Sequence, residues 1–311
     1  MTETKPRFAI MGSGGVGGYF GARLVQAGYD TSFIARGAHL DAIRKYGLRI
    51  EDPDESFAVR ADATDDPAEI GPVDFVLFAV KLWDTEQAGA ACRPMLGPDS
   101  VVVSLQNGVD SEDQLCTLLG AQHVMGGVAE ISATIAEPGL IKRVSPFARA
   151  RIGELDGRHS PRSVRLAEAL SQSGIEVDHS DNITEAIWNK FLFLVGLSAL
   201  TALTRQPIGR IRKDPDTRAL FKQVIKEVLA VAMAKGIPLS EHTVAERMQF
   251  TDSLPGAFMG SMAIDLERGN RLELDWLSGA VVRLGKELGV PTPANSFVYT
   301  ALKLSKEGTE T

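Results

Sequence analysis

Along the first half of the chain, short apolar runs alternate with stretches whose apolar positions recur every three to four residues. The runs Arg7–Met11 (RFAIM), Thr31–Ala35 (TSFIA), Asp74–Val80 (DFVLFAV), Ser100–Leu105 (SVVVSL) and Val124–Ser132 predict strands. DFVLFAV and SVVVSL are unbroken in their apolar character, the mark of strands covered on both faces. Val16–Gln26, stopped by Gly28, and Ala38–Tyr46, stopped by Gly47, have helical periodicity, and Leu48–Ile50 and Ser56–Val59 predict short strands around an Asp-Pro turn. Strands and helices alternating at this spacing imply βαβ units and a parallel, doubly wound sheet.

The pattern changes near residue 180. Asp181 or Asn182 is placed to cap a long helix running through Trp188 to about Thr204. A second helix is predicted from Pro215, a good first-turn residue, to Gly236-Ile-Pro238. Ser240 is placed to cap a third, and further helices are predicted over 257–268, 275–288 (capped by Asp275) and 294–306. No strand-like alternation of comparable strength occurs there. The expected organisation is an α/β domain over residues 1–180 followed by an all-α domain over 181–311.

The first loop carries chemistry. Gly12-Ser13-Gly14-Gly15-Val16-Gly17 matches G-x-G-x-x-G directly after a strand and at the start of a helix. The first glycine permits the tight turn, the second lets a pyrophosphate approach the backbone, and the third allows close helix–strand packing. Free N–H groups and the positive end of the helix dipole then face the phosphates. The α/β domain is therefore expected to be a Rossmann-type dinucleotide-binding domain. At the end of the second strand an NAD site carries an acid for the ribose 2′-hydroxyl. This chain has Ala35-Arg36-Gly37 there, and no acid until Asp41. Arg36 suits a 2′-phosphate, so NADP (NADPH) is the expected cofactor.

Composition removes several function classes. A net charge of −7 argues against nucleic-acid binding, which needs concentrated basic surface. The cluster Arg205, Arg210, Arg212 and Lys213 reads as a solvated linker. The N-terminus lacks the pattern of a secretory signal, and the longest apolar run, Phe191–Leu197, is far below the ~20 residues that span a bilayer. Cys92 and Cys116 are too few for a disulfide framework or zinc site, and the five histidines show no ligand spacing, so no metal is expected. A cytoplasmic enzyme is expected. The apolar helices of the second domain are compatible with packing within the chain or in a homodimer.

The second domain offers candidates for catalysis. Lys190 opens a strongly apolar helical stretch, where burial would lower its pKa and suit it to protonate a carbonyl oxygen as hydride reaches the carbon. Taken alone it also fits a lysine that snorkels to water. Ser261 precedes a predicted helix and Glu273 follows a Gly-Asn turn. Each by itself also fits an ordinary surface position.

Together these residues carry a resemblance. The glycine loop, Ala35-Arg36-Gly37-x-His39, Val80-Lys81, Gln106-Asn107-Gly108, Trp188-x-Lys190-Phe191, Ala202-Leu203-Thr204-Arg205, Ser261-Met262, Arg271-x-x-Glu273-x-Asp275 and Gly289-Val-Pro-Thr-Pro293 occur in order over nearly the whole chain. In this set the chain resembles the ketopantoate reductase (2-dehydropantoate 2-reductase) family of NADPH-dependent enzymes in pantothenate biosynthesis. The resemblance implies Lys190 as general acid and Glu273 as its catalytic companion. It implies Ser261 and Asn107 on the substrate, and Lys81 and Asn107 near the nicotinamide, with His39 toward the adenosine side. Ser198, a serine that can still make one hydrogen bond, is a further substrate candidate. One departure stands out. The family carries asparagines four and eight residues beyond that lysine, where this chain has Leu194 and Ser198. Losing a hydrogen-bonding group weakens recognition of a substrate hydroxyl. The expected reaction is reduction of a small 2-oxo acid, ketopantoate first. A more apolar 2-oxo acid is the alternative within enzymes, and an NADPH-binding sensor is the alternative outside them.

Overall fold

The computed structural model describes residues 5–53, 55–145 and 147–309. The chain divides into two compact units, Met1–Gln106 with Asp110–Ala186, and Asn107–Val109 with Ile187–Thr311.

Twelve strands occur among the described residues of the first unit: β1 (Phe8–Met11), β2 (Thr31–Ile34), β3 (Leu48–Glu51), β4 (Ser56–Val59), β5 (Ala63–Thr64), β6 (Val73–Phe78), β7 (Leu96–Ser104), β8 (Val124–Glu130), β9 (Ala133–Glu137), β10 (Leu140–Arg143), β11 (Arg149–Gly153) and β12 (Glu176–His179). Its helices are α1 (Gly15–Gln26), α2 (Gly37–Tyr46), α3 (Thr85–Ala91), α4 (Ser111–Leu119) and α5 (Pro161–Gln172). The main sheet has the order β12-β11-β8-β7-β6-β1-β2-β5. The chain runs outward from β1 to β2 and β5, then returns to β6, β7 and β8 on the other side. The switch point, where open α/β sheets bind ligands at the carboxyl ends, therefore lies between β1 and β6. The expected sheet is parallel through this centre, and one pairing departs from it: β11 runs antiparallel to β8.

A second sheet, β4-β3-β10-β9, was not foreseen. It covers α1, whose Gly18 would place a methyl 3.1 Å from Ile141 Cγ1. The junction is charged at its centre. Asp52, after β3, is grasped by Arg143 at the end of β10, with Nε at 2.9 Å from Oδ2 and Nη2 on the other oxygen. Tyr19 of α1 donates to the same carboxylate at 2.6 Å, and Arg23 reaches it at 3.1 Å. The side chains of Asp52 and Arg143 are 0% and 4% exposed.

The second unit is helical. The helix α6 (Ile183–Thr204) leads into α7 (Ile208–Ile211), α8 (Pro215–Ala234), α9 (His242–Ser253), α10 (Ser261–Glu267), α11 (Ser278–Leu288) and α12 (Pro293–Leu302). Asn182 caps α6 reciprocally: its Oδ1 accepts from Glu185 N–H and its amide donates to the Glu185 carboxylate, both at 3.1 Å. This helix is long and apolar enough to cross a membrane by length and composition, but most of that stretch is buried within the protein, so it is a core helix. It crosses α8 closely, since a methyl at Gly196 would stand 2.6 Å from Ile225. Buried Glu227 of α8 accepts from the backbone N–H groups of Ala294 and Asn295 at 2.9 Å, an acid on the positive end of α12.

Three sequence expectations are corrected here. Ser240 does not cap α9, which starts after Glu241 and has no side-chain cap. Asp275 does not cap the following helix, which starts at Ser278 after Leu277. Asp275 lies instead in a 3₁₀ turn and accepts from Tyr299 at 2.8 Å and Lys306 at 2.7 Å. Arg212 is not part of a solvated linker, because its guanidinium donates to the carbonyls of Thr251 and Leu254 at 2.9 and 2.7 Å.

Removing one partner of a buried pair leaves the other charge uncompensated. Asp52→Ala is therefore expected to destabilise the protein by about 3–5 kcal/mol in urea unfolding. A loss below about 1 kcal/mol would show that the second sheet is held by something else.

Candidate active site

The glycine loop has the shape that its sequence implies. Gly12 has φ +95°, and a methyl there would meet Val80 Cγ1 at 2.8 Å, so this residue makes the tight turn beside the end of β6. A methyl at Gly17 would stand 2.2 Å from the Gly12 carbonyl oxygen and 3.0 Å from Ile10, so the third glycine lets α1 press against β1. Gly14, the N-cap of α1, has nothing within 4 Å of the position its Cβ would take. It borders open space with no side-chain cap, which fits a pyrophosphate drawn up to the backbone. Gly15 has a different reason: its Cβ would lie 2.1 Å from the carbonyl oxygen of Ala133 in β9. The Ser13 hydroxyl is committed to Ile34 O at 2.9 Å, and Val16 packs its side chain on the core. Val16 therefore has only its backbone to offer a ligand, while the Ser13 N–H is itself bound to Ile34 O at 3.1 Å, so Ser13 shapes the turn.

Arg36 is exposed at the N-cap of α2, just past β2. Lys81, also exposed, follows β6 and stands 5.6 Å from the Trp83 ring centroid. Gln106 ties the end of β7 to the segment that follows β6. Its amide donates to Val80 O at 3.0 Å and to Thr85 Oγ1 at 2.9 Å. The only sequence signal for this role was a polar residue immediately after an apolar strand.

In the helical unit, Lys190 is half-buried on α6, one turn beyond Ile187 and between the buried rings of Trp188 and Phe191 in sequence. Its Nζ donates to Asn107 Oδ1 at 2.9 Å. Asn107 thus spends its acceptor on the ammonium and keeps its amide N–H groups for other partners. Two turns further along the same helix, Ser198 is wholly buried, and its hydroxyl has no hydrogen-bond partner among the described residues. Gly260 lies against this stretch. Its N–H donates to Thr201 Oγ1 at 3.2 Å, and a methyl there would stand 3.2 Å from Ser198 Cα. Ser261, exposed, is the next residue and the first of α10. Glu273 is 7% exposed and sits in the 3₁₀ turn Glu273–Asp275. Leu194, on the turn between Lys190 and Ser198, is half-buried.

The glycine loop has the shape of a dinucleotide site, a class that includes the pyridine-nucleotide-dependent oxidoreductases. Known proteins narrow it. Residues 8–157 match the family model described as ketopantoate reductase PanE/ApbA, and residues 182–307 match its C-terminal counterpart. A 2-dehydropantoate 2-reductase from Mesorhizobium japonicum is 35% identical over 96% of this chain and 97% of its own. The crystal structure of a PanE/ApbA family ketopantoate reductase from Ralstonia eutropha JMP134 superposes with a TM-score of 0.89 at 35% identity, covering 96% of this chain and 98% of that one. The fold is also shared with a D-mandelate dehydrogenase solved with NADH and anilino(oxo)acetate, at a TM-score of 0.88 and 23% identity over 96% of this chain and 98% of that one. The chain belongs to the ketopantoate reductase family.

The loop geometry separates two glycines. Gly17→Ala forces a methyl into the Gly12 carbonyl and is expected to cost more than about 1 kcal/mol of stability, whereas Gly14→Ala is expected to leave the melting temperature unchanged. Thermal unfolding of both variants checks this, and a Gly17→Ala protein that melts with the wild type would contradict it.

Proposed function

We propose that this protein catalyses the NADPH-dependent reduction of 2-dehydropantoate (ketopantoate) to pantoate in the cytoplasm, with residues 1–180 binding NADP and residues 181–311 supplying the catalytic groups. The observation that carries the reading is the 2.9 Å bond from Lys190 Nζ to Asn107 Oδ1. A neutral amide oxygen fixes the direction of the ammonium and takes no proton from it. The reduced nicotinamide, when bound, supplies the hydride to the keto carbon. Lys190 donates a proton to the carbonyl oxygen as negative charge develops there, so that a hydroxyl forms, and solvent reprotonates the amine. The amide N–H groups of Asn107 and the hydroxyls of Ser198 and Ser261 orient the oxo acid. Glu273 is the second catalytic group and positions the substrate or the lysine.

The cofactor residues follow the same logic. The backbone N–H groups of Gly14, Gly15, Val16 and Gly17 hold the pyrophosphate, with Gly12 and Ser13 shaping the turn. Arg36 pairs with the 2′-phosphate, which is the reason for choosing NADPH over NADH. Lys81 lies toward the nicotinamide end. Leu194 favours a second reading within the same chemistry. An apolar side chain between Lys190 and Ser198 suits a more apolar 2-oxo acid.

Lys190→Ala is expected to lower kcat with ketopantoate at least about a hundredfold, measured as loss of NADPH absorbance. Undiminished activity would sink the mechanism, and faster turnover of branched 2-oxo acids than of ketopantoate would move the substrate to the second reading. Arg36→Ala is expected to raise KM for NADPH about tenfold or more while leaving that for NADH nearly unchanged. Equal effects on the two cofactors would remove the 2′-phosphate role.

A further inference from the structure

His39 lies in the first turn of α2, and both of its ring nitrogens are engaged. Nε2 is 2.9 Å from the carbonyl oxygen of Ser13, 26 residues away, in the glycine loop. Nδ1 is 3.0 Å from the backbone N–H of Gly139, 100 residues away, in the turn between β9 and β10. A backbone N–H can only donate, so Nδ1 is the acceptor and Nε2 carries the hydrogen that Ser13 accepts. Burial holds the imidazole below its ordinary pKa, with the Ser13 carbonyl pulling the other way, in keeping with a neutral ring in this single tautomer.

The consequence lies in the geometry of one peptide. The Ser13 C=O and the Gly14 N–H belong to the same planar trans unit and point in opposite directions. Fixing the carbonyl toward His39 therefore fixes the N–H away from it. Ser13 is also anchored from the other side, since its own N–H and hydroxyl both reach Ile34 O, at 3.1 and 2.9 Å. Gly14 is the loop residue whose Cβ direction is open. Its N–H is among the four at the start of α1 that have no intrahelical partner. The second sheet takes part in the same arrangement, because Gly139 orients the ring and Ala133 rests on Gly15.

We propose that His39 is a positioning residue for the dinucleotide: through the Ser13 carbonyl it aims the Gly14 N–H at the pyrophosphate, and the β9–β10 turn holds the ring for that task. The assignment rests on the reading of this unit as the NADPH site. It assigns a role to the second sheet as a brace for the phosphate loop. It also separates the two bonds of the ring, because glutamine can place an amide N–H near the Nε2 position, whereas asparagine can place an acceptor near the Nδ1 position.

Isothermal titration of NADPH into wild type and the His39→Ala, His39→Gln and His39→Asn variants, with steady-state kinetics alongside, tests this. His39→Ala is expected to raise Kd and KM for NADPH about tenfold, with kcat at saturating NADPH and KM for the oxo acid unchanged. His39→Gln is expected to recover NADPH affinity to within about threefold of wild type, and His39→Asn to resemble alanine. If the alanine variant does not fold, the comparison of glutamine with asparagine decides alone. Wild-type affinity in His39→Ala, or recovery by asparagine and not by glutamine, would overturn the assignment while leaving the NADPH site intact. Absence of NADPH binding by the wild type would overturn the site itself and the assignment with it.

Discussion

The approach of α1 to β1 at Gly17 is the contact on which the first unit depends. A side chain there would meet the Gly12 carbonyl at 2.2 Å, so the helix can lie this close only without one. Because it does, the start of α1 stands at the carboxyl end of β1, where the sheet reverses direction, and its unpaired N–H groups converge on one place. The second sheet then closes over the exposed flank of α1 through the Asp52–Arg143 pair, with Tyr19 and Arg23 of the helix joined to it. A helix with bulkier residues at its start would leave no room for Ala133 against Gly15.

The helical unit solves a different problem. The helix α6 is buried through most of its length, by Trp188, Phe191, Leu192, Val195, Leu197, Ala199 and Leu200 among others. Polar groups on such a helix are costly unless they are paired. Thr201 and Thr204 satisfy themselves locally, each donating to the carbonyl four residues back at 2.6 Å. Lys190 is paired from outside the helix, by Asn107, and the Ser198 hydroxyl is not paired among the described residues. A ligand that meets the Ser198 hydroxyl would answer it, and the proposed oxo acid has a carbonyl and a carboxylate to do so.

Much of the fold was legible because its central strands are apolar without interruption. DFVLFAV and SVVVSL are short, rich in valine and unbroken, which favours buried strands, and glycine and proline punctuate the helices around them. The region from 133 to 180 was not legible. β9 (ATIAE) and β12 (EVDH) are short, mostly exposed edge strands, and Arg149 and Arg151 of β11 pair with acids of its neighbours, so their sequences carry little apolar signal. The second sheet, whose centre is a buried ion pair 91 residues apart in sequence, could not be read from periodicity. The candidate site divides in the same way. The glycine loop is local and its roles follow from spacing, but the Lys190–Asn107 bond spans 83 residues and the His39 contacts span 26 and 100. Such pairs become visible only when the chain has folded. Asp275 shows the converse error: a good capping residue in a suitable place was drawn instead to Tyr299 and Lys306, which reach it from the end of the chain.

The central claim is that hydride from NADPH reaches the keto carbon of a 2-oxo acid on this protein. The direct test incubates the protein with ketopantoate and NADPH carrying deuterium at both positions of the nicotinamide C4, and examines the product by mass spectrometry. The account predicts pantoate with a single deuterium on the carbon that bears the new hydroxyl. Oxidation of NADPH without label in that product, or no pantoate despite saturating cofactor and substrate, would contradict it.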